Sequence, residues 1–174
     1  MTLQGRQDPA VSPWHVTSGE QAPETVERLL RSLPEWFGID SSIVEYVEHA
    51  HRLSTYLAWA DRAPGDGAED GERAAVGVIL VARHFPGAAE VYLMAVDSAL
   101  HRQGVGRSLV RAVEADLIAD GVSLLQVKTL GPSRADPHYD RTREFYTSMG
   151  FRPLEEIHEL WPENPCLVMV KVLQ

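Results

Sequence analysis

The sequence is short of cysteine, of positive charge and of long apolar runs, and each shortage excludes something. One cysteine, Cys166, stands among 174 residues, so no internal disulfide can form. That suits a reducing compartment. Cys166 lies in the apolar run CLVMVKVL and reads as a small buried hydrophobe rather than a nucleophile. Lys and Arg number 16 against 25 Asp and Glu, a formal net charge of -9. A general nucleic-acid binder carries the opposite sign, so no nucleic-acid partner is expected. No apolar run approaches the roughly 20 residues of a membrane span. The opening MTLQGRQDPAVSP has no apolar signal core. The expectation is a cytoplasmic protein with no membrane partner.

What is present is enough apolar residue, 44%, to build a core. Residues 1–13 read as a flexible tail, and 14–174 as a single domain. Trp14 to Val16 suggest a short strand. Pro23 opens a helix carrying Val26, Leu29, Leu30 and Leu33 at helical spacing, and Pro34 ends it. Ser42 and Glu45 have capping-box spacing before a second stripe at Ile43, Val47 and Ala50. Strands are predicted over 53–60, 74–83 and 91–96. They are antiparallel neighbours because loops, not helices, connect them. Between the first two, DRAPGDGAEDGER (61–73) is polar and turn-rich. Helical spacing returns at Leu109, Val110, Val113 and Leu117, with Gly121 as the stop. A strand over 122–130, a helix from Asp136-Pro137 to Gly150, and strands over 154–160 and 166–173 complete a mixed α/β order.

The informative stretch is VYLMAVDSALHRQGVGRSLV, 91–110. A strand leads through a basic glycine turn into a helix. The N–H groups from Gln103 to Ser108 have few internal acceptors and can converge on one concavity, where the helix dipole adds positive charge. Gly104 and Gly106 permit close approach of a ligand, and Arg102 and Arg107 add formal charge. This is pyrophosphate-binding chemistry. The Walker pattern is absent. The dinucleotide fingerprint fails because Leu109 occupies the place of its third glycine, which disfavours a dinucleotide-dependent oxidoreductase.

Met94-Ala95-Val96 followed by His101-Arg102-Gln103-Gly104-Val105-Gly106 resembles the acetyl-CoA motif of the GNAT (Gcn5-related N-acetyltransferase) superfamily. His101 replaces the usual Gln or Arg. REFYTSMGF (143–151) is similar to that family's FYxxxGF helix ending. The resemblance implies an α/β (α+β) GNAT fold: a mixed, twisted sheet splayed between its fourth and fifth strands, with helices on both faces. It implies acetyl-CoA as cosubstrate, no metal, and direct acetyl transfer to an amine acceptor. Met94 to Val96 would pair with the pantetheine arm, and the backbone of Met94 would supply an oxyanion N–H. Tyr146 would face the sulfur. Glu90, at the start of the central strand, sits where some relatives carry a general base; a solvated glutamate is the alternative. An asparagine that relatives place seven residues before the tyrosine is Tyr139 here, with its hydroxyl offered to the same arm or its segment looped out.

Other signals are weaker. Arg141 and Arg143 reach CoA phosphates or are plain surface charges. Asp136, His138 and Asp140 alternate as metal ligands do, but lie across a helix start. Trp36, Phe37 and Trp161 flank the acceptor side or pack the core. Glu155, Glu156, Glu159 and Glu163 form an acidic run that either is solvated or attracts a small cationic acceptor. An acyl-CoA-binding sensor without turnover is the other functional class that fits. A homodimer is admitted as a partner state, with no residue selecting it.

Overall fold

In the computed structural model, residues 14–60 and 74–174 are described. The expected tail (1–13) and the turn-rich 61–73 segment lie outside the described residues. The elements run β1 (Trp14–Ser18), α1 (Pro23–Arg31), α2 (Asp40–Ala50), β2 (Ser54–Ala60), β3 (Gly77–Phe85), β4 (Ala88–Val96), α3 (Val105–Ala119), β5 (Leu124–Leu130), α4 (Pro137–Ser148), β6 (Arg152–Trp161) and β7 (Asn164–Val172). They form one seven-stranded sheet of order β1-β2-β3-β4-β5-β7-β6. All neighbours are antiparallel except β4 and β5.

Helices cover both faces. Val105, Leu109, Val110, Val113 and Leu117, spaced for one face of α3, are buried with Ile79, Val91, Val127 and Tyr146. The opposite face packs Val26, Leu29, Leu30 and Leu33 with Ile43 and Ala50 against Leu57, Leu80, Leu93 and Ala95. Each Val, Leu or Ile among them stabilises by about 1.5–3 kcal/mol when fully buried. Cys166 is fully buried, and burial raises its thiol to about 11, as a structural cysteine requires. Among the described residues, no helix is long and apolar enough to cross a membrane.

Two local readings need correction. The second helix begins at Asp40, not at Ser42, and no side chain caps it. Asp40 instead pairs with Arg31 at 2.8 Å, an exposed ion pair between α1 and the first residue of α2. The fourth strand begins at Ala88, three residues ahead of Val91, because the chain turns tightly at Pro86-Gly87. Glu90 is therefore inside the strand rather than at its start.

The β4–β5 ladder is short. It runs from Ala88↔Leu124 to Val91↔Val127 and stops. Beyond it, β4 continues against β3 to Val96, and β5 continues against β7 to Leu130. The strands fork. Two bulges shape the surroundings: the β3–β4 register shifts between Leu80 and Val81, leaving Tyr92 as an extra residue, and again between Arg83 and Phe85, leaving His84.

Gly77 lets α3 approach the sheet. A Cβ there would lie 3.0 Å from both Leu109 Cδ1 and Val105 Cγ1. Gly77→Ala is expected to cost about 1–3 kcal/mol by overpacking. A urea titration should show a lower midpoint at unchanged slope.

Candidate functional site

The fork is the candidate site, and backbone geometry defines its inner edge. Asp97 donates its N–H to Val76 O at 2.9 Å, facing β3. Hydrogen-bonding direction alternates along an antiparallel strand, so Ala95 and Leu93 also face β3. The peptide groups of Met94 and Val96 point the other way, into the fork. One is partly occupied: His101 Nε2 donates to Val96 O at 2.8 Å. The residue that departs from the family motif thus holds a carbonyl on the fork's edge, leaving the Met94 peptide as the open one.

The turn after β4 is fixed by dihedrals that few residues tolerate. Gly104 has φ +92, and Arg102, at φ 65, sits in the same left-handed region. Trp14 Nε1 donates to Gln103 O at 2.8 Å, tying β1 to the turn. The first intrahelical bond of α3 is Ser108 N to Gly104 O, 3.0 Å. The N–H groups of Gly104, Val105, Gly106 and Arg107 consequently have no acceptor among the described residues. Arg102, Gln103 and Arg107 are exposed beside them. Gly106 has a different neighbour from the one its motif suggests. A Cβ there would meet the Phe145 ring at 3.2 Å and Met94 Sδ at 3.8 Å. Its smallness serves the packing of α3 against α4 at least as much as ligand approach.

Helix α4 brings Tyr146 to the same region. Asp136 caps it, accepting from His138 N (2.9 Å) and Tyr139 N (3.2 Å), and Pro137 occupies its first turn. Arg143 donates to Leu130 O at 2.6 Å, pinning the helix to the end of β5, and pairs with Asp140. Tyr146, one turn further on the same helix face, is 4% exposed and lies edge-on to Phe145 and Phe151. Burial, with the nearby Tyr139 and Tyr46, holds its phenol well above the ordinary tyrosine value. Its hydroxyl makes no hydrogen bond among the described residues.

Tyr139 spends its hydroxyl within the protein. Its hydroxyl donates to Trp36 O at 2.8 Å, and burial raises it to about 12. Trp36 in turn donates to Thr142 Oγ1 (3.2 Å) and meets His101 and His138 edge-on, at 5.3 and 4.8 Å. The loop between α1 and α2 is therefore clasped to both α4 and the glycine turn. His138 also bonds Arg141. Asp136, His138 and Asp140 are thus spent on a cap, an aromatic contact and an ion pair. Among the described residues no group of three or more His, Cys, Asp or Glu is arranged to hold a metal.

Glu90 is not solvated: it is 3% exposed. Its carboxylate accepts from His84 Nε2 (2.7 Å), Gln126 Nε2 (2.9 Å) and Lys128 Nζ (3.0 Å to both oxygens). Burial pushes its pKa up, but the bonds from His84, Lys128 and Gln126 outweigh that and hold it below the ordinary value. A base poised for neutral pH needs the opposite shift. None of these three partners was legible as such. They stand 6, 36 and 38 residues away, and the bulge at His84 brings its ring to the carboxylate.

A carboxylate whose pKa is depressed on folding contributes stability above the ordinary value of 4.5 and loses it as pH falls through the folded value. Glu90→Gln is expected to lower stability at pH 7 by about 1–3 kcal/mol and to flatten its acid-side decline. Melting temperatures of both proteins from pH 3 to 8 test this. Parallel curves would show that Glu90 is not linked to folding.

Comparison with known proteins fits this geometry. A profile of the acetyltransferase (GNAT) domain matches residues 66–153, which include β3, β4, the glycine turn, α3, β5 and α4. No curated protein matches the chain. Among solved structures, a putative GNAT acetyltransferase from Desulfovibrio desulfuricans superposes with TM-score 0.73 at 18% identity, covering 92% of this chain and 99% of that one. The ribosomal-protein-S18-alanine N-acetyltransferase of Escherichia coli gives 0.67 at 15%, covering 92% and 94%. A GNAT acetyltransferase from Elizabethkingia anophelis with acetyl-CoA bound gives 0.64 at 16%, covering 94% and 100%. The motif and the domain profile meet on the same segment of this sheet, and the chain belongs to the GNAT acetyltransferase family.

Proposed function

We propose that the protein transfers an acetyl group from acetyl-CoA directly to the primary amine of a small cationic acceptor. The observation that carries this reading is the fork itself. The peptide of Met94 faces into it, and four N–H groups without an acceptor among the described residues stand at its mouth. The pyrophosphate would rest on the amides of 104–107, with Arg102, Gln103, Arg107 and Ser108 around it. The arm would run along Met94, Ala95 and Val96. Because His101 holds the Val96 carbonyl, the arm's strongest backbone partner is Met94, whose N–H also suits the oxyanion.

The amine attacks as the free base: its nitrogen adds to the thioester carbon, the C–S bond breaks, the sulfur leaves as thiolate, and the proton shed by the nitrogen passes to water. A thiol has a pKa of about 8.5 and a free tyrosine of about 10, so proton transfer from tyrosine to thiolate is already uphill by roughly 2 kcal/mol. The raised pKa of Tyr146 widens that gap. Tyr146 therefore acts by donating a hydrogen bond to the leaving sulfur while keeping its proton. Glu90, anionic and saturated with donors, holds Lys128 beside the fork rather than serving as the amine's base. That same saturation favours one other reading, an acyl-CoA sensor without turnover.

Tyr146→Phe keeps the ring and removes the hydroxyl. The expectation is a fall in kcat of about 10- to 100-fold, the worth of one hydrogen bond to a charged group, with acetyl-CoA affinity unchanged. Steady-state kinetics and calorimetric binding on this one variant decide. Wild-type kcat at a step shown to be chemistry removes Tyr146 from the mechanism. Acetyl-CoA binding without turnover on any amine supports the sensor.

The cationic acceptor rests on the net charge of -9 and on Glu155, Glu159 and Glu163, which are exposed along β6 and its turn into β7. Glu156 belongs to the scaffold instead, accepting from Ser133 N and Oγ. Screening surface charge should lower kcat/KM for the amine as ionic strength rises from about 0.01 to about 0.5 M. A salt-independent rate, or a preferred acceptor of net negative charge, overturns this part.

A further inference from the structure

Three polar side chains are buried among the described residues: Thr55, Glu90 and Thr129. Thr55 donates to Leu53 O, and Glu90 has three donors. Thr129 Oγ1 alone has no partner, although the residue is only 4% exposed. A buried hydroxyl without a hydrogen bond is costly, and its persistence calls for a cause.

Its position supplies one. Thr129 lies on β5 two residues past Val127, the last residue paired with β4. It is in the stretch where β5 bounds the fork. It pairs with Leu167 of β7, and side chains directly opposite each other share a face. Leu167, Val127 and Tyr146 belong to one buried cluster, so Thr129 is on the face covered by α4. The next residue, Leu130, is where Arg143 pins that helix. Two hydroxyls without partners among the described residues, those of Thr129 and Tyr146, therefore stand on the same side of the fork. One comes from its strand wall and one from its helical roof.

We infer that Thr129 grips the arm of the acyl carrier, its hydroxyl bonding an arm amide while Tyr146 addresses the sulfur. The inference rests on the reading of the fork as the acetyl-CoA site. The arm's amides offer both a donor and an acceptor, and a threonine hydroxyl can meet either. Thr129 is a positioning residue: it fixes the arm's depth, and so the thioester's place relative to the Met94 amide.

Thr129→Val is nearly isosteric and removes only the hydroxyl; Thr129→Ser restores it. Binding of acetyl-CoA, CoA and 3′,5′-ADP would be measured by calorimetry on wild type and both variants, with ligand-free melting temperatures. Thr129→Val is expected to weaken acetyl-CoA and CoA by about 5- to 10-fold, the worth of one ordinary hydrogen bond. It should leave 3′,5′-ADP, which lacks the arm, unchanged. Its ligand-free melting temperature should equal or exceed that of wild type, because an unpaired polar group has gone. Thr129→Ser should recover acetyl-CoA affinity. Unchanged acetyl-CoA affinity, or an equal loss for 3′,5′-ADP, overturns the role of Thr129 while leaving the site intact. A lower melting temperature with unchanged affinity would assign the hydroxyl to the folded scaffold and overturns it too. Wild type that binds none of the three ligands overturns the reading of the fork itself.

Discussion

Everything distinctive here depends on two strands parting while each keeps a partner on its far side. β4 leaves β5 after Val91 but remains paired with β3; β5 leaves β4 after Val127 but remains paired with β7. Neither inner edge is then held by the other, although backbone polar groups inside a protein need partners. His101 answers for the Val96 carbonyl and Arg143 for that of Leu130. Among the described residues the rest of the two edges is an unpaired template enclosed within the fold, the situation that exposed sheet edges normally avoid. A strand-like ligand arm is the natural complement of such an edge, much as an added β-strand would be.

The fork is also mechanically braced. Phe145 reaches the space beside Gly106 and Met94, so α3, α4 and β4 meet at one ring. Arg143 ties α4 to the end of β5. Trp36 joins the α1–α2 loop to the glycine turn through His101 and to α4 through His138 and Thr142. These contacts couple the wall lined by backbone amides to the loop between α1 and α2. Tyr139, expected at the arm, spends its hydroxyl on this brace.

What could be read from the sequence was what depends on local repetition. The stripe of α3, the Asp136-Pro137 helix start and the glycine at Gly104 each follow from neighbours within a few residues. The order of hairpins followed from which connections lacked helices. What could not be read depends on long-range meetings. Glu90 looked equally like a base or a solvated carboxylate because His84 and Lys128 approach it only after a bulge and a strand crossing. Gly106 looked like a ligand contact because Phe145 comes from a helix 39 positions later. Thr129 carried no signal, since threonine is an ordinary strand residue; only its lack of a partner among the described residues distinguishes it.

The bulge at Tyr92 works as a frameshift. It sets which alternate peptides of the strand's second half look toward β3 and which look into the fork. Shortening or lengthening the chain by one residue between Val91 and the glycine turn would exchange the two sets. Leu93 and Ala95 would then face the fork, and every side chain there would change layers. Apolar side chains of like size can replace one another in this stretch, because the peptide group carries the chemistry and the side chains only pack. Its length cannot change. Drift in this region should therefore be recorded as substitution and almost never as insertion or deletion.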